Sequence, residues 1–232
     1  MGKRIIQQAR GHGSLSYRVR RRAYQYKIKY PMQQGQTEIL SLIHSAGHSA
    51  PLMKLKVGDE IFYNPAFNGA IVGEKIIIGG TDAKPGNILE VKNIPLGSNI
   101  YNIELNPGDG GRMMRAAGCS AILAKKLENN KFALLMPNKK EAIVSGYCRA
   151  TIGSIACSGK ILKPFVTAGN KWFKMKARNK LWPRTSAVKM NAIDHPFGSG
   201  RGKRIKSKIA KRNAPPGTRV GHIRPRRTGR RK

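Results

Sequence analysis

Short apolar stretches alternate with turn residues through the middle of the chain, from Thr37 onward. The apolar stretches are rich in Ile, Leu and Val, and Gly, Pro, Asn and Asp stand between them. This pattern predicts strands joined by short turns, and several such strands in series are typical of a small β barrel. The first series of predicted strands lies in EILSLIH, PLMKLKV, EIFYN, EKIIIGG and NILEVKNIPLG.

A second series of strands follows the glycine-rich stretch Asn106–Gly111. Asn129–Asn130 and Pro137–Asn138 are predicted turns within this series, because Asn and Pro favour turn conformations. The predicted strands are CSAILAKKLE, KFALLMP, EAIVSG and CRATIGSIA. The pattern therefore indicates a mainly β protein with two small barrels.

The two ends of the chain lack a sustained apolar period. Residues 1–30 contain interleaved tyrosines and predict an extended arm that becomes ordered against a partner. These tyrosines either stack on bases or pack on the protein's own core. Beyond Phe165 the strand pattern stops, and the segment is too charged to form a core. We expect much of it to lie on RNA.

Charge is distributed very unevenly along the chain. Residues 1–30 contain nine Lys and Arg and no acid, and residues 142–232 contain twenty-four against one acid, Asp194. The middle, 31–141, is nearly balanced, with twelve Lys and Arg and ten acids. A foldable middle between polycations predicts a phosphate-rich partner, since phosphate attraction dominates nucleic-acid affinity.

The proportion of Arg among the basic residues supports the same kind of partner. Segments 1–30 and 195–232 hold fifteen Arg among twenty-three basic residues, whereas 31–141 holds two among twelve. Arg grips phosphate with two parallel hydrogen bonds and stacks on bases, which Lys does not do. A merely solvated surface would mix charges of both signs.

Other classes of site find little support. Cys119, Cys148 and Cys157 have neither CxxC spacing nor an even number, so we expect small buried residues rather than a zinc site or a disulfide framework. No apolar run approaches the roughly 20 residues that span a bilayer, and the N-terminus lacks the apolar region of a signal peptide. We expect no membrane partner and no small-molecule substrate.

Three local motifs have competing interpretations. The neighbours Asp194 and His195 could form an acid–base pair, but RNA contact or local bonding is the favoured interpretation. The stretch 198–203 fails the phosphate-loop pattern, so its glycines are expected to let the backbone approach RNA closely. Aromatic residues such as Trp172 lie among the basic residues of 171–184. They could stack on unpaired nucleotides or anchor the segment to a barrel.

The stretch KMNAIDHPFGSGRG (189–202) resembles the signature of the universal large-subunit ribosomal protein family number two. Phe197 stands where the bacterial branch has a second His, so the likeness is to the archaeal and eukaryotic branch. Further matching stretches follow in order along the chain: GHGS, PGDGG, CRATIG, KPFVTAG, RNAPPG, VGH and RRTGRRK.

The resemblance implies a fold and a set of boundaries. It implies an OB-fold barrel followed by an SH3-like barrel, with long basic N- and C-terminal extensions. The expected divisions are a basic extension at 1–34, the OB-fold barrel at 35–92, the SH3-like barrel at 93–178 and an RNA-binding extension at 179–232.

The resemblance also implies a function. Such proteins bind large-subunit (23S-type) rRNA near the peptidyl transferase centre, and support subunit association, tRNA binding and assembly of that centre. The expected partners are this rRNA, neighbouring large-subunit proteins and the small subunit across an intersubunit bridge, in the cytoplasm. No cofactor is expected, and Mg²⁺ enters only as a counterion of the rRNA.

We expect no enzymatic activity, with His195 a minor candidate for catalysis. The alternatives are an OB-containing enzyme that processes nucleic acid and an architectural nucleic-acid binder outside the ribosome. The first lacks a carboxylate cluster for two-metal chemistry in its basic half. The candidate RNA-binding residues are Arg4, Arg10, His12, Arg18, Arg20, Arg21, Arg22, Arg149, Lys160, Lys171, Trp172, Lys180, Arg184, Lys189, Asn191, His195, Phe197, Arg201, Lys203, Arg204, Arg212, Arg219, Arg226, Arg227, Arg230 and Arg231.

Overall fold

The computed structural model describes residues 3–15, 17–19, 23 and 25–203. The chain forms two compact units. The first, here the β unit, comprises residues 20–166. The second, here the basic unit, is made of residues 1–19 and 167–232, so it joins the two ends of the chain.

The described residues contain ten strands and three α-helices. The strands are β1 (Gly35–Ile43), β2 (Leu52–Val57), β3 (Glu60–Pro65), β4 (Lys75–Ile78), β5 (Ile88–Glu90), β6 (Asn99–Tyr101), β7 (Ala121–Leu127), β8 (Lys131–Leu135), β9 (Glu141–Ser145) and β10 (Arg149–Ile152). The helices are α1 (Ile6–Gly11), α2 (Gly159–Leu162) and α3 (Ala168–Ala177), and short 3-10 turns lie at Val91–Asn93 and Ala187–Lys189.

All ten strands belong to one sheet in the order β3-β2-β1-β4-β5-β10-β6-β7-β8-β9. Neighbouring strands are antiparallel, except that β4 and β5 are parallel where Ile78 meets Ile88. Register shifts in β1, between Ile39 and Ser41, and in β7 disturb the pairing. Such bulges increase local twist and help a sheet curve around a core.

Two hydrophobic cores lie along this sheet. Inward positions alternate with outward ones, as in β1, where Thr37 and Ile39 are buried and Glu38 and Leu40 are exposed. The first core contains Tyr30, Ile39, Ala50, Met53, Leu55, Val57, Phe62, Ala66, Phe67, Ile76, Ile78, Ile88, Tyr101, Ala117 and Ile155. The second contains Leu89, Val91, Ile94, Ile100, Ile103, Ala121, Leu123, Phe132, Leu134, Val144, Cys148, Ala150 and Ile152.

Strand β10 connects the two cores. It pairs with β5 on one side and with β6 on the other. Ala150 and Ile152 contribute to the second core, while the Thr151 hydroxyl faces a buried polar cluster beside the first core. The alternation of side chains along one short strand therefore places residues both in the second core and in the polar cluster beside the first core.

The polar cluster at this junction centres on the hydroxyl of Tyr30. It donates a hydrogen bond to the carbonyl oxygen of Asn102 at 2.7 Å and lies 2.7 Å from Thr151 Oγ1, which also accepts from Asn64 Nδ2 at 3.0 Å. Burial raises the pKa of the Tyr30 hydroxyl well above its ordinary value. The tyrosine therefore stays neutral, and its hydrogen bonds fix the end of the N-terminal arm.

A buried ion pair lies beside this cluster. The carboxylate of Glu104, completely buried, accepts hydrogen bonds from Gly108 N, Gly110 N and Arg149 N, and it pairs with Arg149 Nη2 at 3.0 Å. Arg149 also donates to the carbonyl oxygen of Pro31. Four hydrogen-bond donors surround the carboxylate, so they offset the free-energy cost of removing its charge from water. The stretch PGDGG thus folds around an acid that precedes it.

The mainly β class predicted from the sequence is confirmed. Every predicted apolar stretch contains a strand, and both predicted turns form; Asn129 and Asn130 adopt the left-handed conformation of a tight hairpin. Two cores are consistent with an OB-fold barrel followed by an SH3-like barrel. That finer assignment and the boundaries at 34/35, 92/93 and 178/179 stay predictions.

The prediction of an extended arm at 1–30 was partly wrong. Residues 6–11 form α1, because the side chain of Gln8 accepts a hydrogen bond from Ile5 N at 3.2 Å and closes the first turn. The end of the arm packs into the β unit, where Ile28 and Tyr30 are buried. For Tyr30 the structure selects core packing over base stacking.

Two further expectations need correction. The sequence pattern gave no helix beyond Phe165, yet α3 forms there. Of the three cysteines expected to be buried, only Cys148 is buried, and burial raises the pKa of its thiol to about 11, which keeps it inert. Cys119 is half-buried and Cys157 is exposed, so the expectation was wrong for these two.

Replacing Glu104 by Gln should destabilise the β unit strongly. The amide group of Gln cannot accept from all four donors, and Arg149 loses its countercharge. We expect the free energy of unfolding, measured by urea denaturation and far-UV circular dichroism, to fall by about 3–5 kcal/mol. Glu141→Gln is the matched control, because Glu141 pairs with Lys125 at the surface and should change stability by about 1 kcal/mol at most. Equal losses in the two variants would contradict this role for the buried pair.

Candidate nucleic-acid interface

The basic unit brings together the two ends of the chain. The backbone N–H of Lys3 donates to the carbonyl oxygen of Ile193 at 2.8 Å, and Lys3 Nζ pairs with Asp194 Oδ1 at 3.2 Å. A second connection joins Asn179 Nδ2 to the carbonyl oxygen of Arg18 at 2.6 Å. Two basic segments that are far apart in the sequence therefore lie next to each other.

Asp194 contributes to this connection rather than to a catalytic pair with His195. Its carboxylate binds Lys3, and the two side chains remain 41% and 67% exposed. The ring of His195 has a different partner: its Nδ1 accepts a hydrogen bond from the backbone N–H of Phe197 at 3.1 Å. In neutral His195 the proton therefore resides on Nε2, which makes this atom a hydrogen-bond donor.

The chain around His195 is a compact turn. The backbone N–H of His195 donates to Asn191 O at 3.2 Å, and Gly198 N donates to His195 O at 2.8 Å. A Cβ on Gly198 would lie 2.2 Å from the carbonyl oxygen of Asn191. Close approach of the protein's own backbone therefore explains this glycine; an approach of RNA to the rest of the 198–203 segment stays a prediction.

A cavity of about 450 Å³ opens between α1 and this turn. It is lined by Lys3, Arg4, Ile6, Gln7, Thr185, Lys189, Met190, Asn191, Asp194 and His195. The lining combines cationic, hydrogen-bonding and apolar groups, and the volume lies in the range of pockets for small organic groups. Arg4, Lys189, Asn191 and His195 were predicted as RNA-binding from the sequence, and the structure places all four here.

The cavity also includes residues that sequence reasoning missed. Lys3 and Gln7 were not selected, although Lys3 is adjacent to Arg4 in the acid-free N-terminal segment. Thr185 carries no charge and offered no signal. Only the three-dimensional structure shows that Thr185 lines the cavity together with residues of the N-terminal segment.

Helix α1 and the turn after it position three further candidates. Arg10 lies in the last turn of α1, with its guanidinium 5.9 Å from the centre of the Tyr17 ring. His12 follows the helix, and Arg18 Nε donates to the carbonyl oxygen of Gly13 at 2.8 Å. Arg10, His12 and Arg18 are all exposed, so they remain available to a phosphate backbone.

Helix α3 and the segment after it contain a cluster of basic side chains and aromatic rings. Lys176 Nζ lies 4.6 Å from the ring centre of Trp172, and Lys171 Nζ lies 5.4 Å from that of Trp182. Trp182 is half-buried, whereas Trp172 is exposed, and anchoring of the segment to a barrel stays a prediction. Lys180, Arg184, Arg201 and Lys203 are exposed on the following segment, and Phe197 is half-buried against His195, with 4.9 Å between ring centres.

Two candidates lie in the β unit instead. Arg149 is held by Glu104 and Pro31, and only 15% of its side chain is exposed. Lys160 lies at α2 and donates to the carbonyl oxygen of Ser49 at 3.1 Å. The contacts of both residues are with the protein, and RNA binding by them stays a prediction. The candidates Arg20, Arg21, Arg22, Arg204, Arg212, Arg219, Arg226, Arg227, Arg230 and Arg231 lie outside the described residues.

Among the described residues, no group of three or more His, Cys, Asp or Glu could hold a metal ion. None of the described helices has the length and apolar character required to cross a membrane.

The chain is similar to known proteins over its whole length. A family model described as "Ribosomal Proteins L2, C-terminal domain" matches residues 84–218. A Hyperthermus butylicus protein named "Large ribosomal subunit protein uL2" is 44% identical over 240 residues, covering 100% of both chains. Proteins of the same name from Korarchaeum cryptofilum and Archaeoglobus fulgidus are 41% and 40% identical, covering 100% and 99% of this chain and 97% and 99% of their own lengths.

These matches include the basic stretches at both ends that the structure joins into one unit. The resemblance inferred from KMNAIDHPFGSGRG and the shorter motifs is confirmed by them. The family model covers more than half of the chain, and the full-length relatives are archaeal. This chain therefore belongs to the family of ribosomal proteins L2, in its archaeal type.

Proposed function

We propose that this protein is a structural constituent of the large ribosomal subunit. It binds large-subunit (23S-type) rRNA near the peptidyl transferase centre, and through that binding it supports subunit association, tRNA binding and assembly of the centre. Its other partners are neighbouring large-subunit proteins and the small subunit across an intersubunit bridge. It acts at the ribosome, in the cytoplasm.

The observation that supports this proposal is the union of two acid-poor segments in the basic unit. Asp194 is the sole acid of residues 142–232, and it is already paired with Lys3. The remaining positive charge of the unit has little internal countercharge. RNA phosphates supply that countercharge and are held strongly when several contacts release counterions together.

The two units have different tasks in this mechanism. The β unit, which contains ten of the eleven acids of the chain, provides a stable fold that fixes register through specific contacts. The basic unit neutralises phosphates where rRNA helices pack against each other. Mg²⁺ takes part only as a counterion of the rRNA, and the protein uses no cofactor of its own.

The role is structural rather than enzymatic. Asp194 is engaged with Lys3, and Nδ1 of His195 is engaged with the backbone of Phe197. A general base needs a free nitrogen within hydrogen-bond distance of the proton that it removes. The protonated Nε2 of neutral His195 is instead suited to donate a hydrogen bond to a phosphate or base oxygen.

Binding to rRNA should weaken steeply with salt. In a titration with a large-subunit rRNA fragment, log K plotted against log salt should have a slope of about −0.7 to −0.9 for each phosphate contacted. Arg184→Gln, in the exposed part of the basic unit, should reduce the magnitude of the slope by about one contact. Lys131→Gln, on strand β8, is the matched control and should leave the slope unchanged. A slope near zero for the unaltered protein contradicts the electrostatic mechanism.

The variants His195→Gln and His195→Ala should separate RNA docking from proton transfer. Gln still donates a hydrogen bond but does not titrate near neutrality, whereas Ala does neither. We expect the Gln variant to assemble into large subunits that form peptide bonds at the normal rate across pH. The Ala variant should bind rRNA about 2- to 12-fold more weakly, the effect of one lost hydrogen bond.

The opposite outcome is equally clear. If subunits containing the Gln variant assemble fully but the chemical step slows by about 100-fold or more, His195 acts as a general base. That result would remove the structural role proposed for this side chain while leaving the assignment to the large subunit intact.

A further inference from the structure

Helix α3 exposes aromatic side chains that a free protein would normally bury. It is ten residues long, contains Trp172, Phe173 and Met175, and has no buried residue. Trp172 is 39% exposed and Phe173 67% exposed. Aromatic rings contribute most when they are removed from water, and a helix of this length gains most of its stability from packing. Both facts indicate that α3 packs against a partner.

The two rings and a lysine form a defined arrangement. The rings of Trp172 and Phe173 lie edge to face, with centres 4.9 Å apart and planes at 82°. Lys176 Nζ is 4.6 Å from the centre of the Trp172 ring. Lys176 follows Trp172 by four positions and Phe173 by three, so all three side chains project from the same side of the helix. We refer to these three residues as the aromatic platform.

The chemistry of the surroundings identifies the class of partner. Residues 167–193 contain seven Lys and Arg and no acid, so the partner is anionic. A helix that lies on a membrane separates its apolar face from its basic face. In the aromatic platform the basic and apolar groups are not separated, because Lys176 lies over the Trp172 ring. Alternating aromatic and basic groups match a polymer in which flat bases alternate with phosphates.

The state of the RNA also follows from the geometry. Within a duplex both faces of each base are covered by neighbouring bases, and the deep groove of A-form RNA is closed to side chains. An exposed ring can stack only on a base that is unpaired, such as one in a loop or bulge. Lys176 and the other basic side chains of the segment then lie within reach of the adjoining phosphates.

We propose that the aromatic platform stacks on an unpaired nucleobase of the bound RNA. The inference rests on the proposed function, since it takes rRNA as the partner, and it adds the site and the state of the nucleotide recognised there. Phosphate contacts by the basic unit supply affinity for any RNA. The aromatic platform supplies a preference for single-stranded segments.

Trp172 itself provides the measurement. The chain has two tryptophans, so in a Trp182→Phe protein the indole of Trp172 is the only one that emits. This full-length variant is titrated with a single-stranded RNA of twelve nucleotides and, separately, with a perfect duplex of the same length. Stacking quenches indole emission. We expect quenching with the single strand, whereas the duplex should bind through its phosphates and leave the emission unchanged.

Affinities of matched variants then measure the contribution of stacking. Trp172→Leu should weaken binding of the single strand by roughly 5- to 150-fold and leave duplex binding unchanged. Lys180→Gln, which removes a nearby charge and no ring, is the control and should weaken both RNAs to a similar extent. Both substitutions are at exposed positions, and unchanged far-UV circular dichroism verifies that the fold is retained.

The outcomes distinguish this proposal from the proposed function. If the single strand and an rRNA fragment bind normally but neither quenches Trp172, the stacking proposal is wrong and rRNA binding stands. If anionic lipid vesicles quench or shift the emission and RNA does not, the aromatic platform is a membrane-binding element and the stacking proposal is likewise overturned. If no RNA binds to the unaltered protein, the proposed function itself fails.

Discussion

Repulsion between like charges is the constraint on which this structure depends. The chain has forty-five Lys and Arg against eleven Asp and Glu, so segments of the protein repel one another unless acids are placed where they meet. Two acids occupy such places. Glu104 holds Arg149, forty-five positions away, and Asp194 holds Lys3, 191 positions away. The first contact is buried within the β unit, and the second joins the ends of the chain within the basic unit.

The position of each pair determines what it contributes. Glu104 is shielded from water and bonded to four donors, so its removal leaves a buried cation without compensation. The pair between Lys3 and Asp194 is largely solvated, and such pairs contribute little to stability. Its main effect is to select which segments of a highly basic unit lie next to each other. The backbone bond from Lys3 to Ile193 strengthens that selection.

The sequence was sufficient to predict the strands, because alternation and turn residues are local signals. Nine of the ten strands lie in the apolar stretches identified beforehand, and only the short β6 was missed. Helix α3 was missed because its aromatic and basic residues do not form an apolar stripe, which is the pattern used to recognise helices. Tyr30 was ambiguous because the residues around it are basic, and only the positions of Asn102 and Thr151 explain its burial.

The candidate site was predictable in composition but not in arrangement. Counting charges identified both ends of the chain as basic, and motif resemblance singled out Asn191, His195 and Phe197. Neither could show that Lys3 reaches Asp194, because nothing in the sequence relates positions so far apart. Gly198 was explained by RNA approach, whereas the structure shows contact with Asn191. The pairing of Lys3 with Asp194 could not be predicted from the sequence, and both residues line the cavity.

The late positions of β10 and of Ile155 in the chain have a consequence for the order in which the molecule can form during its own synthesis. The first core needs Ile155 and the second needs Ala150 and Ile152, so neither can close until the chain has been translated as far as residue 152 or 155. Until then, apolar strands from β1 to β9 emerge without a complete core, a condition that favours association between nascent chains. The basic N-terminal segment emerges earlier still, and its partner Asp194 is added only after the whole β unit has been synthesised. The two cores are separate in the finished protein, but the residues that complete them are synthesised within a few positions of each other.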